Sequence, residues 1–211
     1  MDKRDIKLVS IESYCIGAGK SYLLNKIKNE LPECCIIDEP VGTWEKLRNE
    51  EDESLLELFY KDKKKYSYMF QNCALLSRYE NIENTIKNNP DKNIFITERC
   101  LETDKEVFAK MLNDDGYITK IEMDLYLKWF DMLTETSVKL SGIINVRTNV
   151  DLSLDRIKLR GRKGEDIISR EYLDSLKFYQ DKWFNSMDKN FPFLNIESGN
   201  VNEAIKFIKN L

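Results

Sequence analysis

The sequence predicts an α/β fold built on a central five-stranded parallel sheet, and three observations carry that expectation. Short apolar runs recur five times, at Ile6–Ile11, Cys34–Ile37, Asn93–Thr97, Gly142–Val146 and Phe193–Ile196. Each is continuous rather than alternating, as strands covered on both faces are. Long polar stretches with helical spacing separate them, which is the pattern of helices crossing over between parallel strands. With 211 residues and 42% hydrophobic content, the chain can fill one sizeable core but is too short for two full domains, so residues 1–211 read as a single domain. No repeat, low-complexity linker or composition break divides it.

Taken in order, Lys7-Leu8-Val9-Ser10-Ile11 is the first strand, Gly17-Ala18-Gly19-Lys20-Ser21 a turn, and Tyr22-Leu23-Leu24-Asn25-Lys26-Ile27 the opening of a helix. Strand, glycine turn and helix in that order suit a phosphate-binding loop. Unpaired N–H groups and the positive end of the helix dipole face the turn, and glycines let the backbone approach phosphate oxygens. On this reading Gly17, Ala18, Gly19, Lys20, Ser21 and Tyr22 bind the donor, with Lys20 on its terminal phosphates and Ser21 a ligand of Mg²⁺. The pattern G-x-x-x-x-G-K-S/T puts its first glycine at position 14, where this chain has Tyr14. If that position needs positive φ, the tyrosine obstructs the loop and a glycine there would improve donor binding.

The second run ends in Asp38-Glu39-Pro40 and the third in Glu98-Arg99. Ligands of parallel sheets sit beyond the carboxyl ends of the strands, so these charged residues gather at the edge that holds the glycine turn. Tyr60 to Arg78 is helical by period, with Tyr66, Met69, Phe70, Cys73, Ala74 and Ser77 on one broad apolar face. Gln71, Ala74 and Arg78 fall at i, i+3 and i+7, a single stripe that would also fit a boundary between core and solvent. Asn113-Asp114-Asp115-Gly116 reads as a loop, and Ile121, Leu125, Trp129 and Leu133 mark another helix. Further on, Arg156, Arg160 and Arg162 occupy a helix and its end. Like charges at i, i+4 disfavour a helix by a few tenths of a kcal/mol unless an anion is near. Guanidinium forks match phosphate, and Gly161 and Gly164 around Arg162 suggest a mobile arginine-rich lid, the alternative being a solvated basic face. Val201, Ala204, Ile205, Ile208 and Leu211 spell an amphipathic closing helix.

Composition narrows the chemistry. Net charge is −4 with both signs interleaved, so no broad field favours nucleic acid or an anionic membrane. The absence of histidine removes imidazole bases, His-ligated metal sites and imidazole proton shuttles together. Acid–base work must come from Asp, Glu, Lys, Tyr or Cys. Five cysteines, two of them adjacent and none in C-x-x-C, suit a reduced compartment. With no apolar leader, organellar targeting segment or membrane-spanning run in view, a soluble cytoplasmic protein is expected.

The ordered motifs resemble the deoxynucleoside kinase family, the group of deoxycytidine, deoxyguanosine and mitochondrial thymidine kinases, over nearly the whole chain as far as Trp183. Lys20-Ser21 is followed, as in that family, by Glu39-Pro40-Val41-Gly42-Thr43-Trp44, then Tyr60-Lys61-Asp62, Phe70-Gln71 and Arg78. Glu98-Arg99 follows, with Cys100 where the family has serine, then Asp104, and a lid of Arg156, Arg160-Gly161-Arg162, Glu165 and Tyr172-Leu173. Tyr14 and Cys15 depart from the family's Gly and usual Asn, Tyr22 from its Thr, and Gly164 from an acidic lid residue. The resemblance implies a P-loop kinase fold, transfer of the γ-phosphoryl group of ATP to the 5′-hydroxyl of a deoxynucleoside with Mg²⁺ as cofactor, and a homodimer packed through helices. It further implies Glu39 as the base, Arg99 as the orienting group, and Ser21 with Glu98 at the metal. Tyr60 and Glu165 would hold the sugar 3′-hydroxyl, Gln71 the base edge, and Trp44 and Phe70 the apolar walls. Ala74, Arg78 and Asp104 would line the base pocket in the manner of the deoxycytidine and purine deoxynucleoside kinases, leaving little room for a thymine methyl.

Two rivals share the fold. A thymidylate-type nucleoside monophosphate kinase needs extra basic groups near Glu39, which Gly42-Thr43-Trp44 does not provide. A non-catalytic nucleotide-fold protein is favoured by Tyr14 and opposed by the retention of Lys20, Ser21, Glu39, Glu98 and Arg99. No N-K-x-D signature occurs, which argues against a GTPase.

Overall fold

The computed structural model describes residues 4–211. Its five strands are β1 (Lys7–Glu12), β2 (Cys34–Ile37), β3 (Ile94–Glu98), β4 (Leu140–Arg147) and β5 (Phe193–Glu197). They pair in the order β2-β3-β1-β4-β5, every pair parallel. The five apolar runs thus become the five strands, with no end shifted by more than two residues. Side chains alternate across a strand, and β1 shows how each face is filled. Val9 and Ile11 join Leu23, Leu24 and Ile27 of α1 (Lys20–Glu30) and Ala204 and Ile208 of α10 (Val201–Lys209). Leu8 joins Leu75 and Ile82 of α4 (Lys63–Asn88) and Tyr126 and Phe130 of α7 (Lys120–Thr136). Helices therefore cover both faces, and the loops after β1, β2 and β3 meet at one edge.

The helical stretch expected from Tyr60 to Arg78 is broken. Leu55–Lys61 forms α3, Asp62 ends it, and α4 starts at Lys63. Asp62 is held at φ −143°, ψ 82°, and its carboxylate accepts the Lys65 N–H at 3.1 Å. A short acidic side chain that satisfies an orphan N–H at a helix start outcompetes continuation of the helix. Tyr60 consequently reaches the site from α3, while Phe70, Gln71, Ala74 and Arg78 reach it from α4. A capping box of Ser54 with Glu57 starts α3, and Thr119 with Glu122 starts α7 in the same way.

After β3 the chain runs as α5 (Leu101–Thr103), a π-helical segment Asp104–Ala109 and α6 (Lys110–Asp114). The expected loop therefore narrows to the turn at Asp115–Gly116. Beyond β4 lie α8 (Val150–Arg160), a 3₁₀ turn Glu165–Ile167 and α9 (Arg170–Ser186). The helix announced by Ile121, Leu125, Trp129 and Leu133 is present, but the first three face outward, 80%, 45% and 41% exposed, and of the four only Leu133 packs against the core. Its buried side is carried by Tyr126 and Phe130 instead.

Candidate active site

At the carboxyl edge of the sheet a cavity opens between the glycine loop, α3, α4 and the segment after α8. The loop from β1 to α1 turns on Gly17 at φ 80° and Gly19 at φ 94°, conformations that an L side chain rarely adopts. A Cβ on Gly17 would also sit 3.0 Å from the Ser153 carbonyl. Tyr14 is not among the positive-φ residues, so the expected obstruction does not arise. No side chain caps α1, which leaves the first N–H groups of the helix turned to the loop. Lys20 is 5% exposed, and its Nζ lies 3.4 Å from Glu98 Oε1. Ser21 Oγ donates to Glu98 Oε2 at 2.8 Å. Burial and then the nearby Arg99 push the Lys20 ammonium below its ordinary value, against the pull of Glu98, Glu39 and Glu12.

Glu39, just past β2, faces the same cavity with Oε1 3.3 Å from Arg78 Nη2 and 3.6 Å from Arg99 Nε. Burial alone would raise its carboxyl, but Arg78, Arg99 and Lys20 together hold it below the usual carboxylate range. Arg78 reaches Asp104 at 2.8 and 3.2 Å, a two-pronged contact, and donates to the Glu98 carbonyl at 2.7 Å. Both partners are 2% exposed. Burial disfavours the guanidinium charge, yet Asp104 and Glu39 outweigh burial and keep it protonated. Arg99 stands at φ 65°, a backbone state that costs a residue with a side chain on the order of 1–3 kcal/mol. Two hydrogen bonds fix it there: Arg99 N–H to the Ile11 carbonyl at 3.1 Å, and Thr97 Oγ1 to the Arg99 carbonyl at 2.9 Å.

The apolar half is built from aromatic contacts. Trp44 of α2 (Val41–Lys46) meets Phe70 edge-on at 5.3 Å, and Phe59 stacks on Phe70 at 4.5 Å. Trp44 Nε1 donates to Ser77 Oγ at 3.0 Å, so the indole is buried without an orphan donor. Between these walls Gln71 is 1% exposed, and its Oε1 has no partner. An unpaired buried acceptor costs about 1–3 kcal/mol, an expense that a ligand donor in the cavity would relieve. Ala74 lines the cavity beside it.

The segment after α8 closes the remaining side. Arg160 Nε contacts Glu165 Oε2 at 3.1 Å, and Arg162 Nη1 contacts Glu165 Oε1 at 3.1 Å. Tyr60 lines the cavity next to Glu165; burial, then Tyr172 and Glu165, push its hydroxyl up, so it remains a donor at neutral pH. Gly164 sits at φ 83° with a virtual Cβ 3.2 Å from the Glu57 backbone. An acidic residue at this position, the resemblance's expectation, would strain both.

Of the residues singled out from sequence, Gly17, Ala18, Gly19, Lys20, Ser21, Glu39, Trp44, Tyr60, Phe70, Gln71, Ala74, Arg78, Glu98, Arg99, Asp104, Arg160, Arg162 and Glu165 line this one cavity. Two expected donor ligands do not. Tyr22 is 55% exposed, turned outward by the helical period, and Arg156 lies against the loop, donating to the Gly17 carbonyl at 3.3 Å. Sequence reasoning missed Phe59 and Phe108 of the cavity lining and, outside that lining, Glu12, whose side chain is fully buried. Glu12 Oε1 accepts from Thr103 Oγ1 at 2.6 Å, while Oε2 lacks a hydrogen bond and lies 3.9 Å from Arg99 Nη1. A charged residue ending a β1 otherwise rich in apolar side chains was the available signal.

A parallel sheet, a lysine-bearing glycine loop and a cavity shared by buried carboxylates and arginines define a P-loop phosphotransferase. The family model described as deoxynucleoside kinase matches residues 9–209, and the chain belongs to that family. It is similar to deoxycytidine kinase of Bos taurus, at 30% identity over 95% of this chain and 86% of the relative. Deoxycytidine kinase of Homo sapiens is 29% identical over the same shares, 95% and 86%. The mitochondrial deoxyguanosine kinase of Xenopus laevis is 27% identical over 92% and 78%. The protein is thus a deoxynucleoside kinase, a transferase of nucleotide salvage that phosphorylates nucleosides. No helix among the described residues is long and apolar enough to cross a membrane.

Proposed function

We propose that the chain transfers the γ-phosphoryl group of ATP to the 5′-hydroxyl of a deoxynucleoside, with deoxycytidine or a purine deoxynucleoside preferred to thymidine. The observation that carries this is the Glu39 carboxylate, facing the same cavity as Lys20 and the glycine loop and held below its ordinary value by Arg78, Arg99 and Lys20. In that arrangement Glu39 accepts the hydroxyl proton, and Arg99 holds the carboxylate and the acceptor oxygen in register. Lys20, Arg160, Arg162 and the loop N–H groups stabilise charge on the transferred group, with Arg156 bracing the loop. Tyr60 and Glu165 bind the sugar 3′-hydroxyl. Gln71 grips the base edge between Trp44 and Phe70. Ser21 and Glu98 offer adjacent oxygen donors, which suits a cation that keeps waters and takes few protein ligands. They would hold Mg²⁺, whose charge would neutralise the donor phosphates.

An acceptor that already carries a phosphate fits less well. Both cations beside Glu39 are engaged, Arg78 by Asp104 and Arg99 between Glu39 and Glu12. ATP assays against the four deoxynucleosides and their monophosphates test the reading. Turnover of monophosphates alone would replace it with the monophosphate kinase.

Substrate choice rests on the Arg78–Asp104 pair, which fixes a polar wall beside Gln71 and crowds a thymine methyl. Making room for a methyl group changes discrimination by roughly 10- to 200-fold. Combining Arg78→Met with Asp104→Ala should therefore raise thymidine kcat/KM at least about tenfold relative to deoxycytidine. The ratio is the readout, because losing Arg78 also frees Glu39. Thymidine as the best parental substrate, or an unchanged ratio, would defeat the pocket argument.

A homodimer is part of the proposal. Leu125, Trp129 and Met132 of α7 stand exposed, as do Met69 and Leu76 on the adjoining α4. An apolar stripe on neighbouring helices is the surface expected to pack against a second copy. Charge at its centre, Leu125→Glu with Trp129→Glu, should convert a sedimenting dimer into a monomer; an unaltered dimer would place the interface elsewhere. The five free cysteines support placing the enzyme in the reducing cytoplasm; a disulfide in protein isolated from its native cells would argue otherwise.

A further inference from the structure

Tyr14, the residue that breaks the glycine pattern, makes a contact no glycine could make. Its hydroxyl donates to the Thr148 carbonyl, immediately before Asn149, the N-cap of α8. Burial pushes the phenol above its ordinary value, so it is a donor at neutral pH. The ring is half-buried, with Lys177 Nζ 5.6 Å from its centroid.

The contact joins two parts of the donor side. One end is the first residue of the glycine loop pattern, and the other is the base of α8, whose far end carries Arg160. Halfway along, the loop already leans on α8. Arg156 donates to the Gly17 carbonyl at 3.3 Å, and a Cβ on Gly17 would strike the Ser153 carbonyl. Eleven residues make α8 about 16 Å long, so any tilt at its base is magnified where Arg160 meets the cavity. The loop, the helix and the arginines beyond it are thereby tied at two points, one of them supplied by Tyr14.

We propose that Tyr14 is a positioning residue for the phosphate donor, a side-chain tether that sets α8 and its arginines against the glycine loop in place of the glycine usual at that position. The proposal deepens the kinase reading and rests on it for the donor's identity. The nucleoside-side groups Glu39, Gln71, Tyr60 and Asp104 line the cavity, and Tyr14 and Thr148 do not, so the two substrates are affected differently.

Tyr14→Phe removes the hydroxyl and keeps the ring. Losing one intramolecular hydrogen bond should raise the KM for ATP about 3- to 10-fold, with the KM for the nucleoside unchanged and the melting temperature lowered by no more than a few degrees. Tyr14→Gly, which restores the usual pattern, should weaken ATP binding at least as much. An unchanged ATP KM in Tyr14→Phe overturns the proposal, as does tighter ATP binding by Tyr14→Gly or an equal loss for both substrates with a lowered melting temperature. Calorimetric binding of ATP to parent and variant keeps the outcomes separate. If the parent turns over no deoxynucleoside, the kinase reading falls while the ATP affinities still decide the role of Tyr14.

Discussion

Replacing Lys20 by alanine is expected to lower kcat by at least about 10²- to 10³-fold, the loss seen when one preorganised donor to a developing charge is removed, while the chain stays folded. Lys20 is the buried cation of the glycine loop, and no neighbouring side chain can take its place. Arg99 is committed to Glu39 and Glu12, and Arg78 to Asp104. In the variant Glu98 retains the Ser21 hydrogen bond but loses its cation, so some stability is lost as well. Single-turnover kinetics with saturating ATP and nucleoside separate the chemical step from binding, and a circular dichroism spectrum checks the fold. Undiminished turnover in this variant would remove Lys20 from the phosphoryl-transfer machinery.

Glu39→Gln should reduce kcat by about 10²- to 10⁴-fold, the typical range for a general base, with little change in nucleoside affinity. Glutamine keeps the size and an acceptor oxygen for Arg78 and Arg99 but has no carboxylate to take the proton. A pH dependence follows with a definite sign. Arg78, Arg99 and Lys20 hold the Glu39 carboxyl below its ordinary value, so the active, deprotonated form persists through neutral pH. Activity is lost only as pH falls through that lowered value, below the ordinary glutamate pKa of about 4.3. The contribution of the ionised carboxylate to stability has the same direction: present above the unfolded-state pKa and lost on acidification. With no histidine in the chain, no imidazole titrates between pH 5 and 8. A kcat/KM profile with an acid limb near pH 6 to 7 would remove Glu39 as the base. Equal losses in kcat and nucleoside affinity in Glu39→Gln would make its role structural.

Much of this site was legible because its chemistry is local in sequence. Strand, glycine turn and helix place Lys20 and Ser21, and the residues after β2 and β3 place Glu39, Glu98 and Arg99 at the same edge. Features that depend on tertiary contacts were not. Period alone carried the helix through Asp62, whereas the competing side-chain cap breaks it and sends Tyr60 in from α3. Whether position 14 needs positive φ was left open by the sequence: Gly17 and Gly19 take it in the loop, Tyr14 does not, and Arg99 does. Backbone sign at a non-glycine residue leaves no mark in the sequence. Apolar spacing identified α7 but not its orientation, since Ile121, Leu125, Trp129 and Leu133 give the same period whether they face the sheet or the outside, and of these only Leu133 packs inward. Glu12 at the end of an apolar-rich strand was a signal in the sequence, but its role shows only in its partners, Ser10, Thr103 and Arg99.

The pairing of charges inside the cavity also governs how the donor arrives. Lys20 faces Glu98, Arg78 faces Asp104, Arg99 faces Glu39, and Arg160 and Arg162 share Glu165. Opposite charges a few ångströms apart cancel at distance, and the whole chain is net negative at −4, so little field reaches into the solvent to draw an anion inward. Polyanionic ATP should therefore be captured by collision and short-range exchange of partners rather than by long-range steering. Its association rate constant, followed by stopped-flow fluorescence, should change little between low and physiological ionic strength, where the screening length shrinks from about 30 Å to about 8 Å. A steep fall with added salt would reveal an attractive field that these pairs do not cancel.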